Sequence, residues 1–378
     1  MKKLLFLLLF LAGCQPLFAQ VELLPKFIQK MYFNKDTSKR KSFVLLPVLS
    51  SSPETGVELG GAALLSFYTD TTGHNTRVSD VYGYATITTK GQQRLSLTSN
   101  YWLPNNTFHY LVNLGFINFP FDFYGIGNNT RLADADHVSE RRYRLKFNGE
   151  KRWGNTIYVG YVLGAFDYIY SDNNATGIFN TSKLIENKYG GAGVYAGPSF
   201  TFDNRNNNTY TTRGLIVNAY LNIMHGIVYN NDYKGAFFNI EYSQFFLLDK
   251  KLVLGLDVQE QSLIGGASPF YLLPQMGSDE MMRGYYGGRY RDRNYIAGQT
   301  ELRYRICNSL GIVGFVGTGE VFHSAFSLAE LKPNYGGGLR YFFDLQKGLS
   351  VRLDYGVGQK PAGEPRETGI YIGLGQSF

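Results

Sequence analysis

The chain has 378 residues with 44 glycines, 29 tyrosines and 28 phenylalanines, only 18% charged residues, and a formal net charge of +7. That mixture suits strands, tight turns and interfacial aromatic belts. Beyond residue 20 every apolar run is broken by polar residues within a few positions, which excludes a bundle of transmembrane helices. The basic residues are dispersed; the tightest cluster, Lys39-Arg40-Lys41, reads as a solvated membrane-edge flank and not as a nucleic-acid arm.

The first element is a targeting segment. Lys2 and Lys3 precede an apolar run from Leu4 to Gly13, with cleavage expected between Ala19 and Gln20, so residues 1–19 read as a signal peptide. The run is shorter than the roughly 20 residues of a bilayer-spanning helix. Leu11-Ala12-Gly13-Cys14 also reads as a lipobox, and lipidation of Cys14 stays open. Cleavage after Ala19 would leave Cys307 as the single cysteine, with no intrachain disulfide. Residues 20–41 are expected to form a short periplasmic segment, and 42–378 a single domain, since no linker interrupts them.

From there the chain reads as sixteen strands. The first five are expected near 43–51, 57–68, 78–90, 92–103 and 107–118. The next six fall near 141–152, 156–169, 191–204, 214–225, 235–248 and 252–264. The last five fall near 294–306, 310–322, 335–344, 349–358 and 369–378. In the sixth, Tyr143, Leu145 and Phe147 alternate with Arg142, Arg144 and Lys146. In the fifteenth, Leu349, Val351, Leu353, Tyr355 and Val357 alternate with Ser350, Arg352, Asp354 and Gly356. Charges such as these would cost about 2–4 kcal/mol each if they faced lipid near the midplane, so they are assigned to a lumen. That lumen also carries Glu241, Asp257 and Glu301. Connections alternate between short turns such as LLDKK and long loops such as 265–293, the asymmetry of periplasmic turns against surface loops. The fold expected is all-β, a 16-stranded antiparallel transmembrane β-barrel.

The closing strand, GIYIGLGQSF, sets Ile370, Ile372, Leu374 and Phe378 on one face and Tyr371, Gly373, Gly375 and Ser377 on the other. A terminal aromatic on such a strand is the pattern read by barrel-assembly machinery, and Phe378 is expected to be that signal.

The longest loop contains MRGYYGGRYRD, from Met282 to Asp292, and the next strand GQTELRYRI. Here the chain resembles the bacterial surface antigen (BamA/TamA) superfamily, whose loop tip, a hydrophobic residue followed by Arg-Gly-aromatic, matches Met282, Arg283, Gly284 and Tyr285. The stretches FYGIGNNT (123–130) and FDNRNNN to RG (202–214) are also family-like. The resemblance implies that Arg283 anchors the loop in the lumen on acidic residues of the next two strands. Glu301 provides the first. At the second position stands Gly317, so the anchor should be weakened or should recruit another carboxylate; Glu320 is close in sequence but on the opposite face. The resemblance further implies a weak seam between the first and last strands, for which Pro47, Gly373 and Gly375 are suited. Family members carry POTRA modules that receive clients. Residues 20–41 are too few for one, so client capture would need a periplasmic partner.

No catalytic, metal or cofactor constellation is visible. The five histidines lack metal-ligand spacing, and GxSxG, HExxH and CxxC motifs are absent. Asp136-His137 in an expected surface loop is the sole dyad-like pair, and it reads as solvated loop. The glycines of GTGE (317–320) are strand glycines. The leading functional expectation is insertion or export of protein or lipid at the outer membrane of a Gram-negative bacterium, with outer-membrane lipid and assembly machinery as partners and no nucleic acid. A passive pore or surface-binding barrel is the alternative, and a surface hydrolase the weaker one.

Overall fold

The computed structural model describes residues 41–70, 76–207, 210–227, 233–344 and 348–378. The signal peptide, Cys14 and residues 20–40 lie outside the described residues.

Sixteen strands close into one antiparallel barrel. They are β1 (Ser42–Ser52), β2 (Gly56–Phe67), β3 (Ser79–Thr88), β4 (Gln93–Trp102) and β5 (Phe108–Asn118). Then follow β6 (Asp136–Trp153), β7 (Ile157–Ser171), β8 (Gly190–Asp203), β9 (Gly214–Gly226), β10 (Lys234–Asp249) and β11 (Leu252–Gly265). The set ends with β12 (Asn294–Arg305), β13 (Leu310–Phe322), β14 (Lys332–Asp344), β15 (Leu349–Val357) and β16 (Thr368–Leu374). Each pairs with its sequence neighbour, the topology short turns dictate.

The burial pattern is inverted relative to a soluble sheet. On β15, Val351, Leu353 and Tyr355 are 38%, 43% and 50% exposed, whereas Arg352 and Asp354 are at most 3% exposed. Tyr143 and Leu145 on β6 likewise face outward. An apolar exterior around a polar interior is stable only when the surrounding solvent is hydrocarbon and every backbone group is satisfied within a closed ladder.

Two strand limits differ most from the sequence expectation. β6 starts at Asp136, not 141, because Phe121–Phe123 pairs with Asp136–Val138 and extends the ladder into the third surface loop. β16 stops at Leu374, short of the chain end. Gly375 adopts φ +78°, a left-handed conformation open to glycine, and turns the tail inward. Phe378, expected on the same face as Ile370, which is 53% exposed on the outside, therefore lies inside the barrel. Its ring is 5.8 Å from that of Phe245, and the Arg303 guanidinium sits 4.8 Å from its centroid. Arg303 Nη2 also donates to the Phe378 carbonyl oxygen at 2.8 Å. The tail thereby gives a buried guanidinium partners that the outward position would have withheld.

Shortening β16 has a second effect. β1 pairs with β2 along its whole length, but with β16 it shares a single register position, Ser51↔Ile372. Over the rest of β1 no strand ladder with β16 forms, so the barrel closes on a seam one residue pair long.

At the surface end, an aromatic cluster ties three loops together. Phe270 packs edge-on against Phe123, Phe179 and Tyr170 at centroid distances of 5.9, 5.3 and 4.6 Å, within the range of favourable aromatic pairs.

Candidate functional site

The loop between β11 and β12 folds back into the lumen. Its stem is a two-residue ladder, Gln275↔Arg291 and Met276↔Tyr290, and its tip crosses the inner faces of β12 to β16. Two backbone choices shape the tip: Met282 at φ +58° and Gly284 at φ +110°. Gly284 meets β15 backbone to backbone; a Cβ there would lie 2.8 Å from Val357 N and 2.9 Å from Gly356 C. Gly356 is matched to it, since a Cβ there would stand 2.5 Å from Arg283 C. A Gly284→Ala chain should therefore fail to seat the tip, losing about 1–3 kcal/mol from backbone strain alone. Faster trypsin cleavage within 282–293 than in the wild type checks this; equal rates would contradict it.

The seated tip presents Arg283 to two carboxylates. Arg283 is fully buried, with Nη2 donating to Glu301 Oε2 at 2.8 Å and Nη1 donating to Asp354 Oδ2 at 2.8 Å. The guanidinium also lies 3.5 Å from the centroid of the Phe315 ring, a stacked cation–π contact in a desolvated setting. Both acids are shared further. Glu301 accepts from Arg303 Nε and from the Ser377 hydroxyl, each at 2.8 Å, and Asp354 accepts from Arg340. Burial of these charges is tolerable only because each is paired and hydrogen-bonded.

The four expected loop and strand residues, Arg283, Gly284, Tyr285 and Glu301, thus come together in space. Gly284 N donates to the Tyr371 hydroxyl at 2.8 Å, and Tyr285 donates its hydroxyl to Pro333 O at 2.6 Å while accepting from Gln359 N at 3.0 Å. Phe378 sits apart from the tip, joined to it through Arg303 and Glu301.

The second carboxylate comes from β15, not β13. Glu320 is buried on the opposite face of β13 and accepts from Ser327 N at 3.1 Å, away from Arg283. Gly317 faces inward but is occupied from across the strand pair. Asn334, its register partner on β14, fills the space a side chain would take, with Oδ1 2.6 Å from a Cβ built at 317. Asn334 Nδ2 donates to Arg283 O at 3.1 Å. Asp354 was legible as a lumen acid by alternation, but its meeting with Arg283 required knowing where the loop tip lands. Phe315 matches the aromatic that precedes the aspartate position in the family pattern, whereas Tyr371 and Asn334 left no signal beyond their inward parity.

Asp136 and His137 form no dyad. Asp136 accepts from Phe179 N at 3.1 Å in the buried cap, while His137 is exposed and pairs with Asp122 at 3.2 Å.

Comparison with known proteins decides the family. The Omp85 superfamily domain matches residues 77–378. The chain belongs to the Omp85 superfamily. No curated protein matches the sequence. Among solved structures, this Omp85 barrel is similar to BamA from Haemophilus ducreyi lacking POTRA domains 1–3, with TM-score 0.59 and 12% identity over 89% of this chain and 70% of that one. CdiB from Acinetobacter baumannii aligns with TM-score 0.58 and 12% identity, covering 90% of this chain and 60% of that one. CdiB from Escherichia coli gives 0.53 and 9%, covering 94% and 75%. These likenesses establish a shared outer-membrane barrel fold. The Omp85 architecture places the chain in the outer membrane of a Gram-negative bacterium.

Proposed function

We propose that this Omp85 barrel assists the insertion or export of protein or lipid at the outer membrane by parting the barrel between β1 and β16. The observation that carries this reading is the single register pair, Ser51↔Ile372, at that seam. Opening a fully laddered seam would break a row of backbone hydrogen bonds in hydrocarbon, whereas here one pair separates the closed barrel from an open edge that can template an incoming strand. In this reading the loop tip, held by Arg283 and by the Gly284–Tyr371 hydrogen bond, keeps the wall rigid on the β12–β16 side, so motion concentrates at β1. Phe378 is read by the barrel-assembly machinery in the unfolded chain and tucked inward when the barrel is finished. Client capture falls to a periplasmic partner.

Ser51 and Ile372 are Cα partners in an antiparallel pair, a spacing a disulfide can bridge. In a Cys307→Ser background, Ser51→Cys with Ile372→Cys should crosslink on oxidation. Cells whose only copy is locked should lose outer-membrane barrier function, with recovery on reduction. A locked barrel that supports a normal outer membrane would sink the proposal. The lumen contents argue against the passive-pore alternative, since the loop tip and the C-terminal tail both occupy the interior.

A further inference from the structure

Six arginines are nearly or fully buried among the described residues: Arg283, Arg289, Arg291, Arg303, Arg340 and Arg352. Five of them have a carboxylate within 4 Å. Arg291, only 2% exposed, has none. Its Nε donates to Gly288 O at 2.9 Å, and its guanidinium lies 5.1 and 5.4 Å from the Phe123 and Phe121 ring centroids. Those contacts occupy Nε and set the guanidinium against two rings; the two Nη groups have no hydrogen-bond partner among the described residues. A buried guanidinium left so is expensive unless something else supplies the counter-charge.

The place where that partner would stand is open. Arg291 lines a lumen cavity of about 420 Å³ beneath the surface loops, bounded also by Arg94, Arg142, Ser278 and the seam residues Ser51 and Ile372. The acids that border it are already engaged. Glu58 pairs with Arg94 at 3.8 Å, and Glu140 accepts from Tyr170 at 2.8 Å and pairs with Arg142 at 3.5 Å. Asp279 is held by Arg352, which lies outside the cavity. Glu54, in the turn between β1 and β2, accepts from Gly287 N, and burial pushes its carboxyl above the ordinary range. Among the three guanidiniums of the wall, only that of Arg291 has no carboxylate within 4 Å. Gly288, at φ +79°, makes room for the guanidinium itself, since a Cβ there would lie 2.6 Å from Arg291 Nη2.

We infer that this cavity is a binding site for a single oxyanion group, a phosphate or carboxylate, received on the two free Nη groups of Arg291 with Arg142 and Arg94 beside it. The planar fork of a guanidinium matches two oxygens of such a group in a bidentate pair. The cavity is larger than a bare oxyanion, so the group is expected as the head of a bigger molecule, and the position of Ser51 and Ile372 in its wall sets that head beside the seam. The inference stands without the seam mechanism, because it rests on an unpaired guanidinium and a space.

The test uses the full barrel in phosphatidylcholine nanodiscs. Inorganic phosphate and, separately, a short-chain phosphatidic acid are titrated by calorimetry against the wild type and Arg291→Gln. Saturable binding of either probe, weakened tenfold or more by the substitution, is the expected result. Phosphate binding marks a free-anion site, and binding of the lipid alone marks a headgroup site. Because Arg291→Gln could disturb the loop, a second measurement stays on the wild type: phenylglyoxal modification of Arg291, read by mass spectrometry, should slow in the presence of whichever probe binds. If neither probe binds, or if binding is unchanged in Arg291→Gln and Arg291 is modified at the same rate with and without probe, the inference is overturned.

Discussion

Replacing Arg283 with alanine is expected to lower the unfolding free energy of the barrel by about 3 kcal/mol and to release the loop 266–293 to protease, while leaving membrane insertion intact. The magnitude follows from what remains. Breaking a buried ion pair by removing one partner costs about 3–5 kcal/mol because a charge is left uncompensated. Here Glu301 keeps Arg303 and Asp354 keeps Arg340, so the cost falls at the low end. Insertion should survive because sixteen strands and their apolar exterior are made independently of the tip. Urea unfolding in detergent and trypsin sensitivity at Arg289, Arg291 and Arg293 check it. Unchanged stability together with unchanged proteolysis would show that the arginine does not hold the loop.

Asp354→Ala should cost more, about 4–5 kcal/mol, since Arg283 and Arg340 would then converge on Glu301 alone, with Arg340 Nη2 already 3.8 Å from it. The site also makes a prediction about its own rearrangement. Gly317→Asp places a carboxylate at the β13 position, but its Cβ meets Asn334 Oδ1 at 2.6 Å and Gly298 O at 2.8 Å. Alone, the substitution should destabilise. Combined with Asn334→Ala it should restore a small part of the stability lost in Asp354→Ala, because the counter-charge is supplied and the clash with Asn334 removed while that with Gly298 O still has to be accommodated. A double-mutant cycle measures this coupling. Rescue by Gly317→Asp with Asn334 still present would mean that the two side chains do not compete.

What the sequence determined by itself is the barrel: strand number, inward and outward faces, the asymmetry of turns and loops, and the loop carrying Arg283. These follow from local rules, since a period of two over ten or so residues states which face meets lipid, and turn residues state where each strand stops. Alternation also marked Asp354 as a lumen acid. The tertiary structure alone decided which acid Arg283 reaches, because that depends on where a long loop lands across five strands, and parity along one strand carries no information about distance around a barrel. The seam is an intermediate case. Pro47, Gly373 and Gly375 signalled weak pairing, but its reduction to Ser51↔Ile372 follows from β16 ending at Leu374. Phe378 shows the limit most plainly. Extrapolated alternation sets it toward lipid, yet one left-handed glycine at 375 and an arginine needing partners draw it inside. Periodicity holds only while the strand does, and the strand ends where tertiary partners offer the chain a better set of contacts.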